Sequence, residues 1–437
     1  VAVDIDPATP HDGKVRPITS EQKPLSMPAL LAYALAAAGG VIGYVPLLTL
    51  LLPIKVEQLK LDEYSVLAWC GVAGAVAAAL ANVGFGWLGD RSTMRGGGRR
   101  GWLLAGTAMT ALSFVGVVFA RDAAAIVASI VAFQFAINAV LAQVNALIAE
   151  EVPAAQKGTI AALLTLGNPL AAATSALVIA GAAGEGSRLA VVALLVAACM
   201  LPLMLATPRQ PAPIGGPGQV RLSPRRHLVI ASAARLLMQI AASGVGLYLL
   251  FFFAALAGDR AQTHAGVARL LVAATIVPVP VAFLLGRWSD RVGRRRSFLI
   301  GPALLATAGL IGMASARSWA VGAACYVGFA TGVAVFLALN TSHAMLLLPD
   351  GARRGRDLGI LNLANTVPQI VAPLLAWWWV KAHDLSAAMA AMAVLTLAAG
   401  VLPLLIEEDC RGEQPEDADR TGSTSSRLIL WLGHADR

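Results

Sequence analysis

The chain has 437 residues and a formal net charge of +8, with 13% charged residues against 57% hydrophobic ones. Soluble domains usually carry about 25% charge. A soluble enzyme, a nucleic-acid-binding domain and a disordered tail are therefore poor readings of the whole. What remains is a polytopic membrane protein, and the length leaves room for twelve spans of roughly 20 residues joined by short loops.

In chain order, residues 1–27 are polar and hold Pro7, Pro10, Pro17 and Pro24. No charged, apolar and small-residue succession leads to a cleavage site, so this stretch reads as a cytosolic tail rather than a signal peptide. Apolar runs follow at 28–52, 64–88, 101–120, 123–147, 158–182 and 189–207. A Pro- and Gly-rich polar linker, 208–227, separates them from six more runs at 228–256, 264–286, 297–315, 320–347, 358–380 and 386–406. An acidic stretch, 407–437, reads as a second cytosolic tail.

Lipid offers no partner to backbone N–H and C=O groups, so each run must be a helix. A barrel would alternate in polarity over ~10 residues, and these runs do not. The expected fold is an all-α membrane protein of twelve helices, with one six-helix bundle over 28–207 and a second over 228–406. Frequent Ala and Gly let such helices approach closely.

With the N-terminus cytosolic, the inner loops hold seventeen Lys and Arg and the outer loops seven. That excess puts both termini inside and predicts residence in the cytoplasmic membrane. It also accounts for the basic balance without nucleic acid. Cys70, Cys199, Cys325 and Cys410 show no CxxC spacing, which argues against a metal centre or disulfides.

Two stretches repeat. Gly86-Trp-Leu-Gly-Asp90-Arg91, followed by Arg99-Arg100, matches Gly286-Arg-Trp-Ser-Asp290-Arg291, followed by Arg294-Arg295-Arg296, at an offset of 200 residues. Lys157-Gly158 with Asn168 matches Arg354-Gly355 with Asn365, at an offset of 197. Two motifs at nearly one spacing imply a duplicated six-helix unit.

The G-x-x-x-D-R loop between helices 2 and 3, and its copy between helices 8 and 9, resemble the signature of the major facilitator superfamily. A finer resemblance is to the glycoside–pentoside–hexuronide and sucrose-transporter-like branch, in its actinobacterial form. It is carried by the long loop Gly89–Trp102, by Gln134–Asn138 leading to Val152-Pro153, and by Leu358–Gln369. The resemblance implies a transporter of two rocking halves. It implies that Asp90 packs by the start of helix 11 and Asp290 by the start of helix 5, forming a conformational latch with Gly86, Arg91, Arg99, Arg100, Gly286, Arg291, Arg294 and Arg295. The simpler alternative is that these residues only set topology.

Polar side chains inside apolar runs are costly unless they face a cavity or a partner. The solute-cavity candidates are Gln134, Asn138 and Asn145 on helix 4, Arg235 and Gln239 on helix 7, Asn340 and His343 on helix 10, and Asn362, Asn365 and Gln369 on helix 11. Arg235 either faces the interior or snorkels to the surface. No Asp or Glu occupies the middle of any run. Sodium prefers a carboxylate among its ligands, so sodium coupling is not expected. Proton coupling through Glu150, Glu151 or His343 stays open.

The sequence has no G-x-S-x-G, H-E-x-x-H or Walker loop, so neither a catalytic residue nor a cofactor is expected. The expected function is secondary active or facilitative transport of a small organic solute, a sugar or glycoside by the branch resemblance. The alternative is proton-linked export of a drug-like or secreted metabolite. The expected partners are the solute, protons if the cycle is proton-linked, and membrane lipid, with the chain acting as a monomer.

Overall fold

Every long element in the computed structural model is a helix, which is the only open-ended element that satisfies its own backbone in lipid. The structure describes residues 24–181, 184–206, 225–257, 260–292, 296–348, 353–382 and 385–406. Most of the tail expected over 1–27, most of the 208–227 linker and the whole 407–437 tail lie outside the described residues, as do Arg294 and Arg295. Through Leu405 the chain forms one packed unit.

In the first half, α1 is Met27–Gln58, α2 Glu63–Met94, α3 Arg100–Phe119 and α4 Ala123–Glu151. Helix α5 is Ala154–Gly181 and α6 is Glu185–Leu205. In the second half, α7 is Arg225–Ala257. Helix α8 runs as Arg260–Ile276 and continues as Pro278–Val292. Helix α9 is Ser297–Ser315, α10 Trp319–Leu346, α11 Arg354–Ala382 and α12 Leu385–Val401. Among the described residues, eleven spans are long and apolar enough to cross a membrane. Helix α11, with 29 residues, is the twelfth long helix. The chain is a multi-pass membrane protein.

Local chemistry explains several boundaries. The Asp122 carboxylate accepts the Ala125 N–H at 2.9 Å and starts α4, and Ser318 accepts from Val321 N–H to start α10. Both satisfy an amide that the helix itself leaves bare. The helices outrun the apolar stretches at the ends where they leave the lipid. Helix α7 begins at Arg225, within the expected linker, and α2 continues to Met94. The Gly86–Arg91 and Gly286–Arg291 motifs, expected as loops, are therefore the last turns of α2 and α8. Spacing of four then sets Gly86 and Asp90 on one helix face.

Helices n and n+6 have equivalent neighbours. Helix α1 packs on α6 as α7 packs on α12, and α3 packs on α4 as α9 packs on α10. Across the halves, α2 lies against α11 and α8 against α5. Leu112 and Leu194, each 70% exposed, illustrate the apolar outer surface that lipid must cover. Inside the second half, Phe253, Phe336, Met238 and Leu310 are fully buried in one core. In the first half, buried Lys55 donates to both oxygens of Glu185 at 2.7 and 3.0 Å and to the Val118 carbonyl at 3.2 Å, tying α1, α3 and α6 together.

Three helices are irregular at mid-depth. Helix α1 passes through a π-helical turn, Leu47–Leu51, directly after Pro46, a residue with no N–H to give the ladder. Helix α5 breaks between Leu164 and Gly167, where Thr165 and Leu166 make tighter i→i−3 bonds. Helix α8 breaks at Val277 before Pro278. Irregular backbone at this depth is tolerated where it is buried in protein or lines a cavity.

Candidate functional site

The breaks in α5 and α8 border one cavity of about 710 Å³ between the two halves, and the π-helical turn of α1 begins just past its lining residues Tyr44 and Val45. From the first half it is lined by Tyr44 on α1, Asn145 on α4 and Thr165 and Asn168 on α5. From the second come Arg235 and Gln239 on α7, Thr275 on α8, Tyr326 and Thr341 on α10, and Asn362 and Asn365 on α11, with apolar residues between. The Lys157-Gly158…Asn168 and Arg354-Gly355…Asn365 repeats share a purpose in space. Ten residues of helix at 1.5 Å each carry the chain roughly 15 Å from its start, and both asparagines arrive at the cavity wall.

Five of the ten cavity candidates line it: Asn145, Arg235, Gln239, Asn362 and Asn365. Arg235 faces inward. Its Nε donates to Asn365 Oδ1 at 2.9 Å, and its Nη1 to Thr341 Oγ1 at 2.8 Å and the Leu337 carbonyl at 3.2 Å. Gln239 Nε2 donates to the same Asn365 oxygen at 3.2 Å, and Asn365 Nδ2 donates to Asn362 Oδ1. One guanidinium thus fixes α7, α10 and α11 together.

Four candidates are placed elsewhere. Asn138 accepts the Asn82 amide at 2.7 Å and donates to Gln134, so Gln134 and Asn138 bridge α4 to α2. Asn340 is fully buried and donates to the Ala231 carbonyl at 3.2 Å, joining α10 to α7. His343 is buried within α10 and is not among the lining residues. The side chain of Gln369 lies outside the described residues. Thr341, beside Asn340 in the same polar stretch of helix 10, does line the cavity; Asn82, Tyr44, Thr165, Thr275 and Tyr326 were not foreseen. For Asn82 a signal existed, since it stands four residues before Gly86 and eight before Asp90.

A second feature joins the two halves. Asp90 on α2 accepts the Gly355 and Arg356 N–H groups, each at 2.9 Å, at the first turn of α11. Asp290 on α8 accepts the Gly158 and Thr159 N–H groups, each at 2.7 Å, and the Thr159 hydroxyl at 2.9 Å, at the start of α5. A helix start presents bare N–H groups and the positive end of its dipole, so a carboxylate is the matching cap. The helices meet there on glycine. Gly355 and Gly359, one turn apart, oppose Gly86 and Asn82, and Gly158 opposes Gly286.

Arg99 completes the Asp90 site. Its Nη2 donates to Asp90 at 2.6 Å and to Glu150 at 2.6 Å, its Nε to Glu150 at 2.9 Å, and its Nη1 to Gln143 at 3.4 Å. Burial opposes the charge of Arg99, but Glu150 and Asp90 outweigh it and hold the guanidinium above its ordinary pKa. Arg100 pairs instead with Glu151, at 3.1 and 3.2 Å, and Tyr33 donates to the same carboxylate. Glu150 and Glu151 are thus taken up by arginines rather than facing the cavity. Arg91 is exposed and lies over the Trp87 ring at 5.5 Å, and Arg291 is exposed as well. Among the described residues, neither makes a hydrogen bond or ion pair across the halves. Arg294 and Arg295 lie outside the described residues.

A family model described as the Major Facilitator Superfamily matches residues 236–432. Two uncharacterized MFS-type transporters from Mycobacterium tuberculosis, strains CDC 1551 / Oshkosh and ATCC 25618 / H37Rv, are each 29% identical over 173 residues. The match spans 39% of this chain and 39% of the length of those relatives. Similar solved structures include a proton:xylose symporter, with a TM-score of 0.68, 14% identity and coverage of 87% of this chain and 96% of that one. The Escherichia coli fucose:proton symporter has a TM-score of 0.67, 14% identity and coverage of 87% and 98%. The human organic anion transporter MFSD10 has a TM-score of 0.64, 15% identity and coverage of 87% and 100%. At these identities the structural likeness establishes the fold.

Proposed function

We propose that this chain is a member of the major facilitator superfamily, a secondary transporter that carries a small polar organic solute by alternating access of its two halves. The carrying observation is the cavity of about 710 Å³ between the halves, together with two equivalent acid-to-helix contacts that join those halves. A volume of 300–1,000 Å³ suits a small organic ligand. The contacts at Asp90 and Asp290 are the latch of the closed end. Each joins an acid of one half to a helix start of the other, so both must part when that end opens.

The Lys and Arg distribution supports a cytosolic location for the latch end and both termini, in the cytoplasmic membrane. The conformation is then the cytosol-closed one. The cavity wall of amides and hydroxyls favours a solute with hydroxyl groups, in keeping with the sugar-branch resemblance. Among the described lining residues there is no Asp or Glu, which supports a cycle independent of sodium. The engagement of Glu150 and Glu151 with Arg99 and Arg100 speaks against either as a freely exchanging proton carrier.

The test is counterflow in proteoliposomes. Vesicles loaded with unlabelled solute should accumulate the labelled form, and vesicles without protein should not. Binding of a solute in detergent without any exchange in vesicles would point to a solute sensor instead.

A further inference from the structure

We infer that the solute is an organic anion whose carboxylate docks on Arg235, an inference that rests on the cavity being the solute site. Among the described residues, Arg235 is the one charged side chain on the cavity wall. Its partners are Asn365, Thr341 and the Leu337 carbonyl, all neutral. They orient the guanidinium and leave its charge uncompensated. Nη2 has no acceptor among the described residues, so two N–H groups remain for a ligand.

The contrast with three other buried or half-buried cations gives this weight, while buried Lys157 donates to the Ile148 and Ala149 carbonyls at its helix junction. Lys55 meets Glu185, Arg99 meets Asp90 and Glu150, and Arg100 meets Glu151. The chain supplies carboxylates to those cations and none to Arg235. Charges taken from water are kept when paired. A ligand carboxylate would complete the set, because charge-assisted bonds from arginine are roughly twice as strong as neutral ones. A cationic solute would meet like charge with no acid on the wall to answer it. The neutral amides of Gln239, Asn145, Asn168 and Asn362 then serve the remainder of the molecule.

The test uses the purified full-length protein in detergent. Thermal unfolding would be followed with acetate, benzoate, gluconate and glucuronate, beside acetamide, benzamide and glucose, at fixed ionic strength and with chloride as a separate arm. At least one carboxylate should raise Tm saturably while its neutral counterpart does not. Arg235→Gln should weaken that carboxylate about tenfold or more, equivalent to 1.4 kcal/mol or above. Arg235→Lys, which keeps the charge, should weaken it less. Should Arg235→Gln fail to fold, the wild-type preference and the lysine variant decide the matter. The inference is overturned if no carboxylate exceeds its neutral partner, if chloride alone gives the same shift, or if Arg235→Gln binds as the wild type does. Carboxylate binding without counterflow would sink the transport reading and leave this one standing. Counterflow of a neutral solute that survives Arg235→Gln would do the reverse.

Discussion

Gly86 and Gly355 approach so closely that the Cβ of an alanine at position 86 would stand 2.3 Å from the Gly355 carbonyl oxygen. The equivalent pair behaves alike, with a Cβ at Gly286 reaching 2.5 Å from the Gly158 carbonyl oxygen. Neither obstacle is a side-chain tip that can swing away. An added methyl must move one helix off the other.

Gly86→Ala should therefore part α2 from α11, at a cost of about 1–3 kcal/mol to the closed end. Spin labels on cysteines at Thr93 and Arg353, both exposed at this end, would report it as a longer distance. An unchanged distance distribution would show that the contact has slack the geometry does not suggest.

Asp90→Asn and Asp290→Asn should each weaken the closed end. Asn keeps one acceptor oxygen for the helix start but brings no charge to meet its dipole, and at 90 it also removes a charged partner from Arg99. We expect about 1 kcal/mol or more for each. The ratio of open to closed populations from the same label pair measures both. No change in either variant would return the acids to the role of topology markers.

Arg99→Gln should lower thermal stability beyond either acid variant. It strands Asp90 and Glu150 together in a buried site, and removing one partner of such a group costs about 3–5 kcal/mol. Glu150→Gln in the same background should recover part of the loss. A Tm within a degree or so of wild type would refute the triad as a stabilising unit.

Solute flux should be indifferent to a sodium gradient at fixed pH and membrane potential. A sodium ion in the cavity would face Arg235 with no Asp or Glu among the described lining residues, a solute carboxylate being engaged by that guanidinium, and would cost several kcal/mol. Flux that climbs with the sodium gradient would contradict this.

Orientation has its own check. A single cysteine at Ser92 or Ser297 in a cysteine-free chain should resist an impermeant maleimide applied to intact cells. Labelling from outside would invert the topology.

The helices were legible because a span announces itself by some twenty apolar residues, whatever it packs against. The duplication was legible through Asp90 and Asp290, which repeat in kind and spacing. Rotation about each helix was not. The runs are apolar on every side, and Asn138 and Asn145, seven residues apart, stand on nearly one face of α4, so nothing in α4 says that the first meets α2 while the second, two turns on, reaches the cavity. That choice is made by Asn82, a partner 56 residues away. The breaks in α5 and α8 were equally hidden. Pro169 and Pro278 hinted at them, but a proline alone does not say whether a helix bends or stops.

Duplication leaves a protein with two equal sides, and Arg235 ends that equality at the centre. The first half lends the cavity Tyr44, Asn145, Thr165 and Asn168, all neutral, while the second holds the one positive charge among the described lining residues. A passenger with an acidic head can ride only one way round. Reversed end for end, it would surrender its strongest handhold, so the two faces of the carrier would read opposite ends of the same molecule.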